Sequence, residues 1–150
     1  VCSELATTMD FLPTLSTIAG AEAPQDRVLD GHDISGLMFG DPNATSPYDA
    51  FYYYRRNNLN AVRSGNWKLH VDENLLFDLD TDIGETQDQY ANNPDVVKRL
   101  NDLADTCRQD LGDERTGTEG ANCRPVGRVD NPQPLTSMDW THPYMLAAYD

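Results

Sequence analysis

The chain has 150 residues, enough for one domain with a modest core, and an ordinary apolar fraction of 39% predicts folding rather than disorder. A formal net charge of −14 argues against nucleic acid or an anionic membrane as a partner, and no run of eighteen apolar residues is present to span a bilayer. The acidity comes from nineteen Asp and six Glu set against nine Arg and two Lys, a balance that fits either a saline habitat or a generally acidic surface.

Residues 7–20 predict a helix. Thr7-x-x-Asp10 has the form of a capping box, Pro13 suits the first turn, Leu12, Leu15, Ile18 and Ala19 form an apolar face, and Gly20 ends it. Phe11 falls off that face, which points to burial on two sides. Residues 21–48 are rich in Gly and Pro and predict a loop with one helical turn at 34–38, Leu37 and Phe39 turned inward. Asn43-Ala44-Thr45 in this loop is a glycosylation sequon, a short pattern that also arises by chance.

Residues 50–79 predict an antiparallel sheet of about four strands. "AFYYYRR" is aromatic and extended, "LNAVRSGNWKLHV" reads as two strands around a turn at Ser64-Gly65-Asn66, and "LLFDLD" adds a short strand. Alternation places Leu59, Ala61 and Arg63 on one face and Val62 on the other, with Trp67, Leu69 and Val71 sharing a face. Residues 94–111 predict a second helix, capped by Asn93 with Pro94 at its first position. Its stripe of Val96, Val97, Leu100, Leu103, Ala104, Cys107 and Leu111 is expected to cover the sheet, and Gly112 stops it. Residues 113–150 lack periodicity and predict an extended tail anchored by Trp140, Tyr144 and Met145.

Reactive chemistry is sparse. His32, His70 and His142 lie in different elements, and no nucleophile elbow, zinc-protease motif, P-loop or dinucleotide turn accompanies them. Asp78, Asp80 and Asp82 match the first ligand positions of an EF-hand loop. Ile83 occupies the place of the sharp-turn glycine and Gln89 that of the bidentate glutamate, so an acidic turn with Gly84 at positive φ is the better description and no metal site is expected. Arg55 and Arg56 stand at a strand end or hairpin tip, with Arg63, Lys68 and His70 on the next hairpin. Bidentate guanidinium groups there suit an anion, and the competing reading pairs them with the abundant Asp. Cys107 and Cys123 flank a Gly-rich segment, where they either close a disulfide loop or remain two thiols, Cys107 within the apolar stripe.

Four phrases in order carry a family resemblance. "TTMDFLPTLSTIAGAEAP", "LDGHDISGLMFGD", "FYYYRRNNLNAVRSGNWKLH" and "LLFDLDTDIGETQDQYANNPDVVKRL" resemble the late portion of type I, formylglycine-dependent, arylsulfatase-like sulfatases of the alkaline phosphatase superfamily, across residues 5–112. Ile83 departs from the proline usual there, and Gln87-Asp88 from the usual asparagine-leucine. The resemblance implies an α+β fold. Residues 1–48 would end a large α/β domain that is missing here, residues 49–112 would form a small sheet packed by the C-terminal helix, and residues 113–150 would be the tail. It implies a full-length enzyme that hydrolyses sulfate esters with calcium and formylglycine. This piece would complete the fold and border the substrate cleft, with the missing N-terminal domain as its partner and a secreted or periplasmic location.

The motif for formylglycine formation, C/S-x-P/A-x-R, is absent, so no catalytic residue or metal ligand carries over. By analogy with the position of the hairpin, Tyr54, Arg55, Arg56 and His70 are expected to contact substrate. The start at Val1 without a methionine or signal peptide is what a piece of something longer would show. A free-standing acidic binding or structural module is the competing reading, and the C-terminal part of a related phosphodiesterase or phosphonate hydrolase is another.

Overall fold

The computed structural model describes residues 2–124 and 128–132. Thr7 caps a 3-10 turn, Thr8–Asp10, with the predicted capping box present, and the chain runs on into α1, Phe11–Ile18. Gly20 takes φ +70 behind it, as a helix terminator does. The predicted turn in the loop is α2, Ser35–Phe39, shifted by one residue; Leu37 is half-buried, but Phe39 points outward at 73% exposure rather than inward.

Four strands follow in meander order: β1 Phe51–Arg55, β2 Asn58–Ser64, β3 Trp67–His70 and β4 Leu75–Asp78, all antiparallel. Helix α3, Pro94–Leu111, lies across β2 and β3. Leu59, Val62, Leu69 and Leu76 from the sheet meet Val97, Leu100, Ala104 and Cys107 from the helix in one buried cluster. The helix face is as the stripe predicted, except that Leu111 is exposed. Asn93 holds the cap position, yet its side chain donates back to the Gln89 carbonyl instead of capping.

Simple alternation fails at one point. Tyr53 pairs with Ala61 but Tyr54 with Leu59, so Asn60 is an extra residue bulged out of β2. The bulge resets the two-residue period and puts Leu59 on the helix side together with Val62, not with Ala61 and Arg63. A second correction concerns the acidic turn: the positive φ belongs to Glu85, not Gly84.

Beyond α3 the chain does not simply trail away. Asp113 bridges Thr118, and Ala121 and Asn122 donate their N–H groups to the Gln109 and Asp110 carbonyls. The final turn of any helix leaves carbonyls without partners, and this returning segment supplies them. Gly120 passes so close that a Cβ would lie 2.3 Å from the Leu111 carbonyl carbon. Asp113 is buried and accepts from Arg108 Nε at 3.0 Å. The expected anchors Trp140, Tyr144 and Met145 lie outside the described residues.

Helix α1 is oriented opposite to expectation. Its buried residues are Pro13 and Thr14, next to buried Asp10, while Leu12, Leu15 and Ile18 are 52%, 55% and 46% exposed. The Thr14 hydroxyl donates to the His32 carbonyl and accepts from the Ile34 N–H. Asp10 accepts from the Thr7 N–H at 2.6 Å, the His32 N–H at 2.8 Å and the Tyr48 hydroxyl. The polar side of α1 therefore holds the 30–48 loop, and the apolar side faces out.

Candidate functional site

The β1–β2 hairpin turns in two residues, Arg56 and Asn57, between the paired Arg55 and Asn58. Arg55 and Arg56 stand at the tip, exposed, as the sequence predicts. Next to them opens a cleft of about 350 Å³ lined by Arg55, Arg56, Asn58, Asn60, Asp72 and Arg115. Arg115 bonds Asp72 at 3.0 Å, and Asn60 Nδ2 donates to the same carboxylate at 3.2 Å. Arg115, Asp72 and Asn60 carry no local signal as site residues. Arg115 reaches the cleft through the short turn after α3, and the Glu114 N–H donates to the Asn57 carbonyl at that junction.

The structure does not bring the four expected contact residues together. Tyr54 lies on the helix side of the sheet, where its ring packs on the core and its hydroxyl donates to the Gly112 carbonyl at 2.7 Å. Burial, and then the Cys107 sulfur beside it, push that hydroxyl far above its ordinary pKa, so it stays a neutral donor. A groove of about 490 Å³ runs from Tyr54 and Arg56 along the turn after α3.

His70 lies on the opposite side of the sheet. Its Nε2 is 2.7 Å from Glu85 Oε2, and its ring meets Phe77 edge-on at 5.7 Å. Lys68 Nζ takes the other Glu85 oxygen at 2.5 Å and sits 4.9 Å above the Tyr53 ring. Burial pushes the Glu85 carboxyl up, but the bonds from Lys68 and His70 outweigh it and hold the pKa below 4.5. A depressed folded pKa means that this stabilisation is present above pH 4.5 and is lost as pH falls through the folded value. Glu85→Gln is expected to cost about 1–2 kcal/mol at neutral pH and to flatten the acid side of the stability curve. Denaturant titrations at neutral and acid pH check this, and an unchanged acid slope would rule it out.

The acidic turn spends its carboxylates internally. Asp82 accepts from the N–H groups of Thr86 and Gln87 and from the Thr86 hydroxyl, and Asp78 from Asn66 and the Asp80 N–H. Among the described residues no three His, Cys, Asp or Glu side chains converge as a metal-ligand group. Asn43 lies exposed in the loop after α2.

Cys107 and Cys123 are separate thiols, which corrects the disulfide reading. The helix aims Cys107 inward, with its sulfur 3.5 Å from the Tyr54 hydroxyl, whereas the returning segment carries Cys123 outside the last turn, where it donates to the Leu111 carbonyl. Cys123→Ser is expected to leave stability within about 0.5 kcal/mol, because no covalent link is removed. Thermal melting without reductant checks it, and a large drop would restore the bond.

No protein-family model matches the sequence. Curated relatives do. The chain is similar to an arylsulfatase of Hemicentrotus pulcherrimus, 36% identical over 70 residues, which are 47% of this chain and 12% of that protein. It is 39% identical to Homo sapiens arylsulfatase A over 75 residues, 47% of this chain and 14% of the relative. Against Mus musculus steryl-sulfatase it is 40% identical over 72 residues, 45% of this chain and 11% of the relative. The match thus spans only a small part of each relative's length.

Among solved structures, the chain is similar to Ps i-CgsB in complex with k-i-k-neocarrahexaose, with TM-score 0.56 and 19% identity over 80% of this chain and 27% of that one. It is also similar to a structure from a glycosaminoglycan-metabolism locus of Bacteroides thetaiotaomicron, with TM-score 0.50 and 20% identity over 67% of this chain and 24% of that one. At those identities the likeness speaks for the fold alone.

Proposed function

We propose that this chain, related as it is to the C-terminal portion of sulfatases, completes an enzyme that hydrolyses sulfate esters and does not itself carry the reacting groups. The observation that supports the reading is the 36% to 40% identity with curated sulfatases over 70 to 75 residues of this chain. The outward apolar side of α1 agrees with it, because Leu12, Leu15 and Ile18 form a face with no cover among the described residues. The larger N-terminal domain of such an enzyme is the partner proposed for that face.

Calcium and formylglycine belong to the reading but not to these residues. The Asp78, Asp80 and Asp82 carboxylates do not converge, and no C/S-x-P/A-x-R occurs in the 150 residues. No step is therefore assigned to this chain's own side chains. Of the four expected contact residues, Arg55 and Arg56 remain suited to substrate, because Tyr54 and His70 are committed to Gly112 and Glu85. No helix among the described residues is long and apolar enough to cross a membrane. A secreted or periplasmic location remains part of the proposal, without support from a disulfide.

Aryl sulfate turnover by the full-length protein and by the 150-residue chain tests this directly. The full-length protein is expected to turn over aryl sulfate, and the chain alone to show none. Turnover by the chain alone that survives repurification and metal stripping would sink the proposal. The free-standing module has one observation in its favour, a core closed within the four strands and α3. A single cooperative unfolding transition of the soluble isolated chain would support it.

A further inference from the structure

Arg55 and Arg56 form the least explained charge arrangement in the chain. Acidic residues number 25 against 11 basic ones, so carboxylates are plentiful. Arg27, Arg108, Arg115 and Arg124 each take one or two. The Arg55 and Arg56 side chains take none among the described residues, so no pairing with Asp across the sheet is seen there.

Arg56 is also in a costly conformation. It is the first of the two tip residues and has φ +58, a left-handed backbone that glycine reaches without steric penalty and arginine does not. A side chain kept where glycine would be cheaper points to a use for that side chain.

The cleft beside the tip supplies the use. Three arginines and one carboxylate, Asp72, line the cleft, and that carboxylate is already bonded to Arg115 and Asn60. Asp72 thus fixes Arg115 in place, while Arg55 and Arg56 make no ion pair among the described residues. Asn60, in the bulge that lines the cleft, turns Nδ2 to Asp72, while its Oδ1 is shut from solvent.

We infer that this cleft binds the sulfate or carboxylate group of an anionic oligosaccharide, with Arg55 and Arg56 as the oxyanion donors. The oxyanion follows from the cleft itself; the sugar rests on the sulfatase reading above. Guanidinium forks match two oxygens of either group. A chain of charge −14 repels anions at long range, so the local excess of arginine decides where one settles. Salt should weaken the contact.

The test is calorimetric titration of the full-length protein at low and high salt with three probes: a sulfated oligosaccharide of sugars without carboxylates, its uncharged desulfated counterpart and inorganic sulfate. The sulfated oligosaccharide is expected to bind most tightly, and Arg55→Ala/Arg56→Ala to weaken it by about a hundredfold with a shallower salt dependence. Arg56→Gly separates ligand contact from folding, because it relieves the backbone while removing the donor. It is expected to melt no lower than the parent yet bind about tenfold more weakly. Unchanged affinity in a folded double variant, or equal binding of the desulfated sugar, would overturn the inference. Inorganic sulfate binding as tightly as the oligosaccharide would overturn the sugar part. Hydrolysis of an aryl sulfate by the unsubstituted protein is read separately: binding without hydrolysis of any sulfate ester sinks the sulfatase reading alone, and hydrolysis with binding indifferent to both variants sinks the cleft alone.

Discussion

Asp10→Ala is expected to loosen α1 from the rest of the chain by about 3–5 kcal/mol, since a buried acceptor left out costs about 1–3 kcal/mol for each donor orphaned. Three donors converge on that one carboxylate: the Thr7 and His32 N–H groups and the Tyr48 hydroxyl. They come from the helix cap, the turn before α2 and the approach to β1, so one side chain ties three segments together. Gly31 is required by the same junction, because a Cβ there would stand 1.9 Å from the Met9 carbonyl oxygen. The electrostatics give the prediction a sign. Burial pushes the Asp10 carboxyl up, but the bonds from Tyr48, His32 and Thr7 outweigh it and leave the pKa below 3.8. The stabilisation is therefore present above pH 3.8 and is lost as pH falls through the lower folded value. Asp10→Asn, which keeps an acceptor oxygen but not the charge, should cost less than Asp10→Ala. Denaturant unfolding at neutral and acid pH, with hydrogen exchange at His32, reads both effects. An alanine variant within about 0.5 kcal/mol of the parent at neutral pH would show that the junction does not need this carboxylate.

That junction shows where sequence reading ends. The Thr7–Asp10 capping box was legible because it is local: three residues apart, with a geometry that recurs at helix starts. The hairpins and α3 were legible for the same reason, through turn chemistry and the 3.6-residue stripe. Tyr48 and His32 reach Asp10 from 38 and 22 positions away, and nothing in their neighbourhood marks them as its donors. The bulge at Asn60 was hidden because the two-residue period looks unbroken until the partner strand reveals the extra residue. The disulfide was misjudged because spacing says nothing about which way a cysteine sulfur points once its helix docks. At the cleft, Arg55 and Arg56 were visible as the sole arginine pair at a hairpin tip. Asp72 and Arg115 were not, since Asp72 comes from the turn between β3 and β4 and Arg115 meets it only after the chain has returned along α3.

Leu15→Asp gives the second large effect, and its size depends on context. In the 150-residue chain Leu15 is 55% exposed among Leu12 and Ile18, so a carboxylate there keeps its water and costs only helix propensity, about 0.5 kcal/mol. In the full-length protein proposed above, the same face lies under the larger domain. An unpaired charge buried there should cost about 3 kcal/mol or more, enough to remove most folded protein from a marginally stable enzyme. Ile83→Asp is the control: Ile83 is 82% exposed in the acidic turn, away from α1, and should be nearly neutral in both contexts. Thermal melting of each variant in both forms measures the difference. Equal, small effects of Leu15→Asp in chain and full-length protein would show that α1 turns its apolar side to water throughout, and the proposed partner domain would then have to dock elsewhere. A large loss confined to the full-length form would instead identify the face that α1 leaves uncovered here as the one that joins this sheet to the reacting groups.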